Sequence, residues 1–183
     1  MCSSDLVGTI YRGWVKVKKG DVGEGLSLLR SRSSAYRNMG AEIRNSHHIA
    51  LLARACDIAG QVEEAFSLLD EALQIAEKIG ERWFVVELYR HKGQLLQRQG
   101  HFEAAEGLYL KALAIAEEQE AKLWQLRAAV SLSRLRGAQG RRAEARDILG
   151  PLYGWFTEGF GTPDLKDAEA LLDELSQRSE SKQ

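Results

Sequence analysis

Residues 93–113 of this 183-residue chain read GQLLQRQGHFEAAEGLYLKAL and contain one copy of an internal repeat. Its central glycine has counterparts 40 residues apart, and a similar segment follows each of them. These glycines are Gly20, Gly60, Gly100 and Gly140. Repetition at a fixed interval of this size is typical of proteins that stack copies of one small structural unit. We therefore predict four repeats.

Two further columns of the repeat hold only small residues. The column five residues after each turn glycine holds Gly25, Ala65, Ala105 and Ala145. The column seven residues before it holds Gly13, Ala53, Gly93 and Ser133. Two helices approach each other closely only where their side chains are short. The pattern therefore predicts a tightly packed pair of helices around each turn glycine.

Apolar residues recur at helical spacing on both sides of each glycine, as in Leu69, Leu73 and Ala76. We predict first helices over residues 6–19, 42–59, 81–99 and 122–139. We predict second helices over residues 22–39, 62–79, 102–119 and 143 to about 156. Alternating runs bounded by turn pairs, which indicate strands, are absent from the sequence. The predicted fold is all-α.

Glycine at each turn allows the left-handed backbone conformation that ends a helix. We expect the same role for Gly40 and Gly80 at the ends of second helices. In the third repeat that position is Glu120, which breaks the pattern. In the fourth repeat either Gly159 or Gly161 could serve.

Composition narrows the class of protein. The chain is 44% apolar with a formal net charge of −1, so it can bury its own core and lacks the basic excess that drives direct nucleic-acid contact. No stretch approaches the roughly 20 apolar residues that span a bilayer. Cys2 and Cys56 form no disulfide framework. With no export leader in the sequence, these features favour a cytoplasmic protein without membrane contact.

One repeat carries a family resemblance. The pattern of Gly93, Gly100, Phe102, Ala105 and Tyr109, followed by Ala112-Leu113, resembles the tetratricopeptide repeat (TPR). The family's usual period is about 34 residues, and a longer variant is found in bacterial signalling ATPases. The resemblance implies a right-handed α-solenoid of TPR-like hairpins whose first helices line the concave side.

The C-terminal part resembles a more specific group. The run from Gly140 to Leu175, with Tyr153-Gly154-Trp155-Phe156 at its centre, is similar to the C-terminal end of large bacterial signalling proteins. Those proteins combine an adenylate/guanylate cyclase domain or a winged-helix regulator with an ATPase module and a helical-repeat tail. The resemblance implies that this chain is a tail fragment whose parent carries the cyclase or ATPase chemistry.

We divide the chain into four hairpins over residues 7–40, 41–80, 81–120 and 121–160. Thr162-Pro163-Asp164 predicts the cap and first turn of a final helix, which we expect over residues 162–178 as a polar cover for the last hairpin. Residues 179–183 are expected to be a disordered tail. Residues 1–6 match the translation of a common sequencing-adapter end, so we expect a non-native start; an ordinary disordered start remains the alternative.

The sequence predicts no catalytic, cofactor-binding or metal-binding residues. It has no phosphate-binding loop ending in Lys and Ser or Thr and no serine turn of the hydrolase type. The four histidines, His47, His48, His91 and His101, lack the convergent partners that zinc needs. Cys56 is expected to be a buried, inert thiol, and the acidic run around Asp70 and Glu71 a solvated helix face.

Tryptophans are favoured as core residues over ligand-stacking ones. Trp14, Trp83, Trp124 and Trp155 share no column of the repeat. Trp83 and Trp124 are predicted at the starts of first helices, where a large ring can seal the seam between hairpins.

If first helices line the concave side, three columns supply a candidate partner groove. Its residues are Trp14, His47, Arg54, Glu87, Arg90, Gln94, Arg127 and Arg134. The four arginines make this surface locally basic and suited to an acidic or C-terminal peptide. The alternative is that these arginines pair with Glu87 and other neighbouring acids.

The leading interpretation is a non-catalytic interaction or regulatory module that binds a protein, a peptide or its own upstream ATPase module. One alternative is a small-molecule sensor that binds an inducer, and a second is an enzyme fragment with cyclase or ATPase activity. Apolar surface at Ile10, Tyr11 and Trp14 also predicts self-association through the N-terminal hairpin.

Overall fold

The computed structural model describes residues 3–38 and 45–177, with side chains over residues 7–31 and 46–177. All regular structure in these residues is α-helical, which confirms the predicted fold class. The helices are α1 (Ser3–Lys18), α2 (Val22–Asn38), α3 (Asn45–Ile58), α4 (Val62–Ile79), α5 (Val85–Arg98), α6 (Phe102–Glu118), α7 (Lys122–Ala138), α8 (Arg142–Gly154) and α9 (Pro163–Gln177).

Most predicted boundaries hold to within two residues, and α4 has both ends as predicted. Helix α1 begins at Ser3 rather than at residue 6, so part of the stretch expected to be a disordered start is helical. Helix α8 ends at Gly154, two residues early. The predictions for Met39, Gly40, the start of α3 at Glu42 and the tail over residues 179–183 lie outside the described residues.

Helix α5 begins at Val85, four residues later than predicted. Gly80 adopts the left-handed conformation at φ 68°, and the Glu81 N–H then donates to the Ala76 carbonyl over 2.8 Å. The chain needs residues 81–84 to complete this reversal, and α5 starts only after Phe84 has become buried. The spacing of apolar residues does not predict such a turn, because it depends on side-chain type and not on the direction of the backbone.

The turn glycines have the predicted left-handed conformation. Gly20, Gly60, Gly100 and Gly140 have φ between 77° and 95°. After each one, the next residue's N–H bonds back to a carbonyl in the last turn of the first helix, as from His101 to Leu96 over 3.0 Å. This bond satisfies a carbonyl that the helix end leaves without a partner. In the fourth repeat Gly159 is also left-handed, with φ 79°, but α8 already ends at Gly154, so the prediction that Gly159 or Gly161 ends this helix is wrong.

Glu120 keeps the turn although it lacks the glycine. Its φ is 53°, and the Ala121 N–H donates to the Ala116 carbonyl over 2.9 Å in the same arrangement. A side chain with a Cβ adopts this conformation at a cost of roughly 1–2 kcal/mol. The break seen in the sequence is therefore a local strain and not a change of architecture.

The chain forms two compact units, residues 1–91 and 92–183, and the boundary falls inside α5. In the first unit, α1 pairs with α2 and α3 with α4. A Cβ on Gly25 would lie 2.7 Å from the Gly13 carbonyl oxygen, so the predicted small residues do permit close backbone contact. Ile10, Leu29, Ile49 and Leu69 fill the core of this unit.

In the second unit the same columns are packed by side chains. A Cβ on Gly93 would lie 2.6 Å from Cε1 of Tyr109, a fully buried ring whose hydroxyl donates to Gln97 Oε1 over 2.8 Å. In the last hairpin the buried Ser133 hydroxyl donates to the Ala145 carbonyl over 2.9 Å. The same column of the repeat therefore holds a glycine where an aromatic ring packs and a serine where a hydroxyl bonds to a backbone carbonyl.

Helix α9 packs on α7 and α8. Its apolar face joins the core around Leu126, Val130 and Leu149. The buried residues of this face are Leu165, Ala168, Leu171 and Leu175. Burial of these side chains removes the apolar surface that the last hairpin would otherwise expose.

Strain at Glu120 predicts a stabilising substitution. Glu120→Gly should raise the free energy of unfolding by about 1 kcal/mol, because glycine adopts φ 53° without a steric penalty. Gly100→Ala is the matched reverse change, since no atom lies within 4 Å of its Cβ and only the backbone conformation is strained. The urea concentration at the midpoint of unfolding should rise for Glu120→Gly and fall for Gly100→Ala. A lower midpoint for Glu120→Gly would contradict the assignment of backbone strain to Glu120.

Close packing at the small columns predicts a contrast between adjacent alanines. Ala105→Leu should lower the free energy of unfolding by about 1–3 kcal/mol, because Ala105 is fully buried and the added carbons have no space. Ala104→Leu adds the same atoms at an exposed position of the same helix and should change stability little. Equal unfolding midpoints for the two variants would refute the tight helix contact.

Candidate functional site

The eight candidate groove residues lie on first helices, as predicted, but in two separate units. Trp14, His47, Arg54, Glu87 and Arg90 belong to the first unit. Gln94, Arg127 and Arg134 belong to the second unit. The first unit thus holds five of the eight residues and the second unit three.

Arg54 stacks on an aromatic ring in the first unit. Its guanidinium carbon lies 4.8 Å from the centroid of the Trp14 ring, and Lys18 Nζ lies 5.9 Å from the same ring. Cations over an indole face are attracted by its electron density. Trp14 is half-buried and joins α1 to α3 through this contact.

Arg90 is held by a buried carboxylate. Its Nε and Nη2 donate to the two carboxylate oxygens of Glu87 over 2.6 and 2.8 Å, and Glu87 is only 2% exposed. Although burial by itself raises the pKa of Glu87, the bonds from Arg90 and the nearby His91 hold it well below its usual range. Arg90 and Glu87 thus form an ion pair in which each charge neutralises the other.

His91 lies beside this pair and is itself buried. Its Nε2 is 3.5 Å from Glu87 Oε2. Burial lowers the pKa of His91 to about 4, against the opposing effect of Glu87. The imidazole is therefore neutral at physiological pH.

His47 belongs to a cluster of rings that joins α1, α3 and the turn before α5. Its ring centroid lies 6.1 Å from that of Tyr11, 5.5 Å from Trp83 and 4.7 Å from Phe84, the last in an edge-on arrangement. Tyr11 and Trp83 are exposed. Ile10, by contrast, is fully buried, so the prediction that it exposes apolar surface is wrong; it faces the core between α1 and its neighbours.

Two of the three arginines of α7 pair with acids from α9. Arg127 donates through Nε and Nη2 to the two carboxylate oxygens of Asp164 over 2.8 and 2.7 Å. Arg134 bonds to Asp167, and both side chains of that pair are 48% exposed. Three of the four arginines of the predicted groove therefore pair with neighbouring acids, namely Arg90, Arg127 and Arg134. The surface is therefore polar and mixed in charge rather than uniformly basic.

A polar cleft of about 230 Å³ lies between α5 and α7 in the second unit. Its lining residues are Gln94, Gln97, Arg98, Tyr109, Ser131 and Arg134. Two of them, Gln94 and Arg134, come from the predicted column six residues before the turn glycine. We call this the α5–α7 cleft.

Three of the four other lining residues have a signal in the sequence that the predicted groove did not use. Gln97 and Arg98 lie three and four residues after Gln94, and Ser131 lies three residues before Arg134. Residues at these spacings share one face of a helix. Extending each predicted position by one turn along its own helix would have found all three.

Two of the four tryptophans contradict the prediction of core packing. Trp83 is 45% exposed and Trp155 is 58% exposed. Because α5 begins late, Phe84 and not Trp83 takes the buried position. Trp155 follows the end of α8, with Lys122 Nζ 6.0 Å from its ring.

Cys56 is fully buried, and burial raises the pKa of its thiol to about 11, as predicted for an inert cysteine. Within residues 3–38 and 45–177, no group of three or more His, Cys, Asp or Glu side chains is arranged to hold a metal ion. Nor does any helix of that part of the chain have the length and apolarity to cross a membrane.

Burial of His91 predicts a loss of stability in mild acid. An unfolded histidine binds a proton near pH 6.5, whereas native His91 does so only near pH 4. The unfolded chain therefore binds more protons between these values, and about 2 kcal/mol should be lost from pH 7 to pH 5. His91→Gln should show a smaller loss in urea unfolding at the two pH values, and the exposed control His101→Gln should match the wild type. Identical pH profiles for all three proteins would contradict the burial of a neutral imidazole.

Comparison with known sequences gives one family and one relative. Residues 43–118 match the tetratricopeptide repeat family model. An uncharacterised protein of Rhizobium meliloti (strain 1021) is 27% identical over 133 residues. The matched part is 72% of this chain but only 13% of that protein. The chain thus spans a small fraction of the length of its curated relative.

Solved structures share the fold at low sequence identity. A candidate kinesin light chain of Podosopora anserina with nearly identical TPR-like repeats has a TM-score of 0.75 and 21% identity, covering 98% of this chain and 89% of that one. A Rap protein complexed with Competence and Sporulation Factor has a TM-score of 0.74 and 16% identity, covering 98% and 55%. Residues 43–118 are therefore similar to tetratricopeptide repeats, and the described helices have the fold of TPR-like helical hairpins.

Proposed function

We propose that this chain is a non-catalytic module that binds an acidic segment of a partner protein in the α5–α7 cleft. The observation that supports this most is the lining of the cleft. It combines two guanidinium groups, Arg98 and Arg134, with two side-chain amides, Gln94 and Gln97, and contains no carboxylate among the described residues. TPR folds typically serve protein–protein interaction, and this lining suits a peptide.

Each type of lining residue matches one part of a peptide. Glutamine amides both donate and accept, so they can bond to the N–H and carbonyl groups of an extended backbone. Guanidinium groups recognise carboxylates through paired N–H donors. Arg134 uses Nη2 for Asp167, and its exposed side chain has further donors for a partner.

The binding property of one similar structure supports the proposal. The Rap protein of the same fold was solved with Competence and Sporulation Factor bound, so this helical arrangement is able to hold a partner. The identity of 16% carries the fold alone, and the acidic character of the partner rests on the residues of the cleft.

We infer further that the module works within a larger signalling protein. The curated relative is much longer than the matched segment. The C-terminal run from Gly140 to Leu175 resembles the tails of cyclase or winged-helix regulators with an ATPase module. In that setting the partner is a protein, a peptide or the chain's own ATPase module, and the location is the cytoplasm.

Other functions are less well supported by the α5–α7 cleft. Small-molecule sites are commonly about 300–1,000 Å³ in volume, whereas this cleft is smaller, about 230 Å³. A cyclase or ATPase should turn over nucleotide in the presence of magnesium, and turnover by the purified chain would contradict the proposal. Self-association through Tyr11 and Trp14 would show as a concentration-dependent mass in ultracentrifugation.

A charge-matched peptide experiment tests the proposal. Ten-residue peptides rich in Asp and Glu should bind to the wild-type chain, and the same peptides with Asn and Gln should bind more weakly. Arg134→Ala should weaken the acidic peptides by about tenfold or more, the loss expected for one charge-assisted hydrogen bond. Dissociation constants from fluorescence anisotropy provide the measurement.

Arg30→Ala is the matched control. Arg30 also forms an exposed pair with an acid of another helix, Glu64, at 2.6 Å, and its side chain is 43% exposed. Arg30 lies on α2 in the first unit, whereas all the cleft residues belong to the second unit. Removal of the Arg30 side chain should therefore leave peptide affinity unchanged. Equal affinity for acidic and neutral peptides, or equal losses in the two variants, would overturn the proposal.

A further inference from the structure

A second, larger cleft lies in the same unit, where α7 ends, α8 begins and the C-terminal half of α9 crosses them. Its volume is about 510 Å³. Its lining residues are Arg134, Gly137, Ala138, Gly140, Arg142, Leu171, Glu174 and Leu175. We call this the α9 cleft. Its volume falls within the range of about 300–1,000 Å³ that small-molecule sites occupy.

A buried guanidinium nitrogen borders this cleft. Nη1 of Arg142 is inaccessible to solvent and has no hydrogen-bond acceptor among the described residues. A charged donor left in this state loses the bonds that water gave it in the unfolded chain, which is costly. Because this nitrogen is closed off, the half-buried Arg142 side chain has to turn toward the cleft before a bound carboxylate can supply the missing acceptor. A carboxylate is the group that a guanidinium binds best.

Arg142 is assigned this role because its Nη1 has no acceptor among the described residues, whereas Nη2 of Arg134 already has one. Arg134 borders both clefts and is already bonded to Asp167. Arg142 is the first residue of α8, so the positive end of that helix dipole adds to the attraction for an anion. The left-handed turn at Gly140 places this end of α8 at the cleft.

Two other features of the lining are complementary to an ammonium group and an aliphatic body. Glu174 supplies a carboxylate, and the edges of Leu171 and Leu175, which are 6% and 3% exposed, supply a small apolar surface from the same helix. Gly137 allows this close approach, since a Cβ there would lie 2.9 Å from Leu175 Cδ2. The lining thus contains a cation, an anion and an apolar wall.

We propose that the α9 cleft binds a small aliphatic α-amino acid in its zwitterionic form. The ligand's carboxylate accepts hydrogen bonds from Arg142, its ammonium donates to Glu174, and its side chain contacts Leu171 and Leu175. Because the ligand contacts α7, α8 and α9 together, it stabilises the docking of the capping helix. This site is independent of the acidic-peptide function proposed for the α5–α7 cleft.

Three ligands that differ by one charge test the proposal. L-leucine carries both charges, N-acetyl-L-leucine only the carboxylate, and L-leucinamide only the ammonium. Isothermal titration calorimetry should give saturable, millimolar or tighter binding of L-leucine. Each of the other two ligands should bind about tenfold more weakly, because one charge-assisted contact is lost.

Variants identify the residues that carry the binding. Arg142→Gln should weaken L-leucine by about tenfold and leave L-leucinamide nearly unchanged. Glu174→Gln should reduce L-leucine affinity to that of N-acetyl-L-leucine. Arg146→Gln changes the same residue type one turn further along α8, also half-buried, and should have no effect. Unchanged circular dichroism melting of each variant without ligand verifies that it is folded.

Several results would overturn the inference. They are the absence of saturable L-leucine binding at millimolar concentration, equal affinity for the three ligands, and equal effects of Arg142→Gln and Arg146→Gln. Acidic-peptide affinity should be the same in Arg142→Gln and the wild type. A failure of the amino-acid site is therefore distinguishable from a failure of the proposed peptide site.

Discussion

The contact between the two helices of each hairpin is the constraint on which the structure depends. At the first turn the backbones themselves meet, because a Cβ on Gly25 would lie 2.7 Å from the Gly13 carbonyl. Around Gly93 the ring of Tyr109 fills the space, and in the last hairpin a hydroxyl of Ser133 bonds to the Ala145 carbonyl. A small residue is needed each time, but the atom that it admits differs.

This constraint determines where long polar side chains can lie. Since the inner columns of each hairpin are reserved for small residues, the arginines of the first helices project from other faces. There they meet acids: Arg90 bonds to Glu87 on its own helix, and Arg127 bonds to Asp164 on α9. A chain with a net charge of −1 compensates its local basic groups in this way, and recognition depends on individual donors within a mixed surface.

Helix α9 has two consequences for the second unit. It buries the apolar face of the α7–α8 hairpin through Leu165, Leu171 and Leu175, which is the role of a terminal cap. It also brings Asp167 and Glu174 to the end of α7, where Arg134 lines the clefts on either side. The capping helix therefore contributes to the chemistry of the surface as well as to stability.

The sequence by itself determined the period, the helical hairpins and the left-handed turns, because these depend on residues within a few positions of each turn glycine. It also placed Gln94 and Arg134 on first helices. Three features follow only from the tertiary structure. Phe84 is buried whereas Trp83 is exposed. Glu120 adopts a backbone conformation typical of glycine, and Asp164 pairs with Arg127. Each of these depends on backbone direction or on contacts between distant residues, such as the 37 positions that separate Arg127 from Asp164, and no local pattern specifies them.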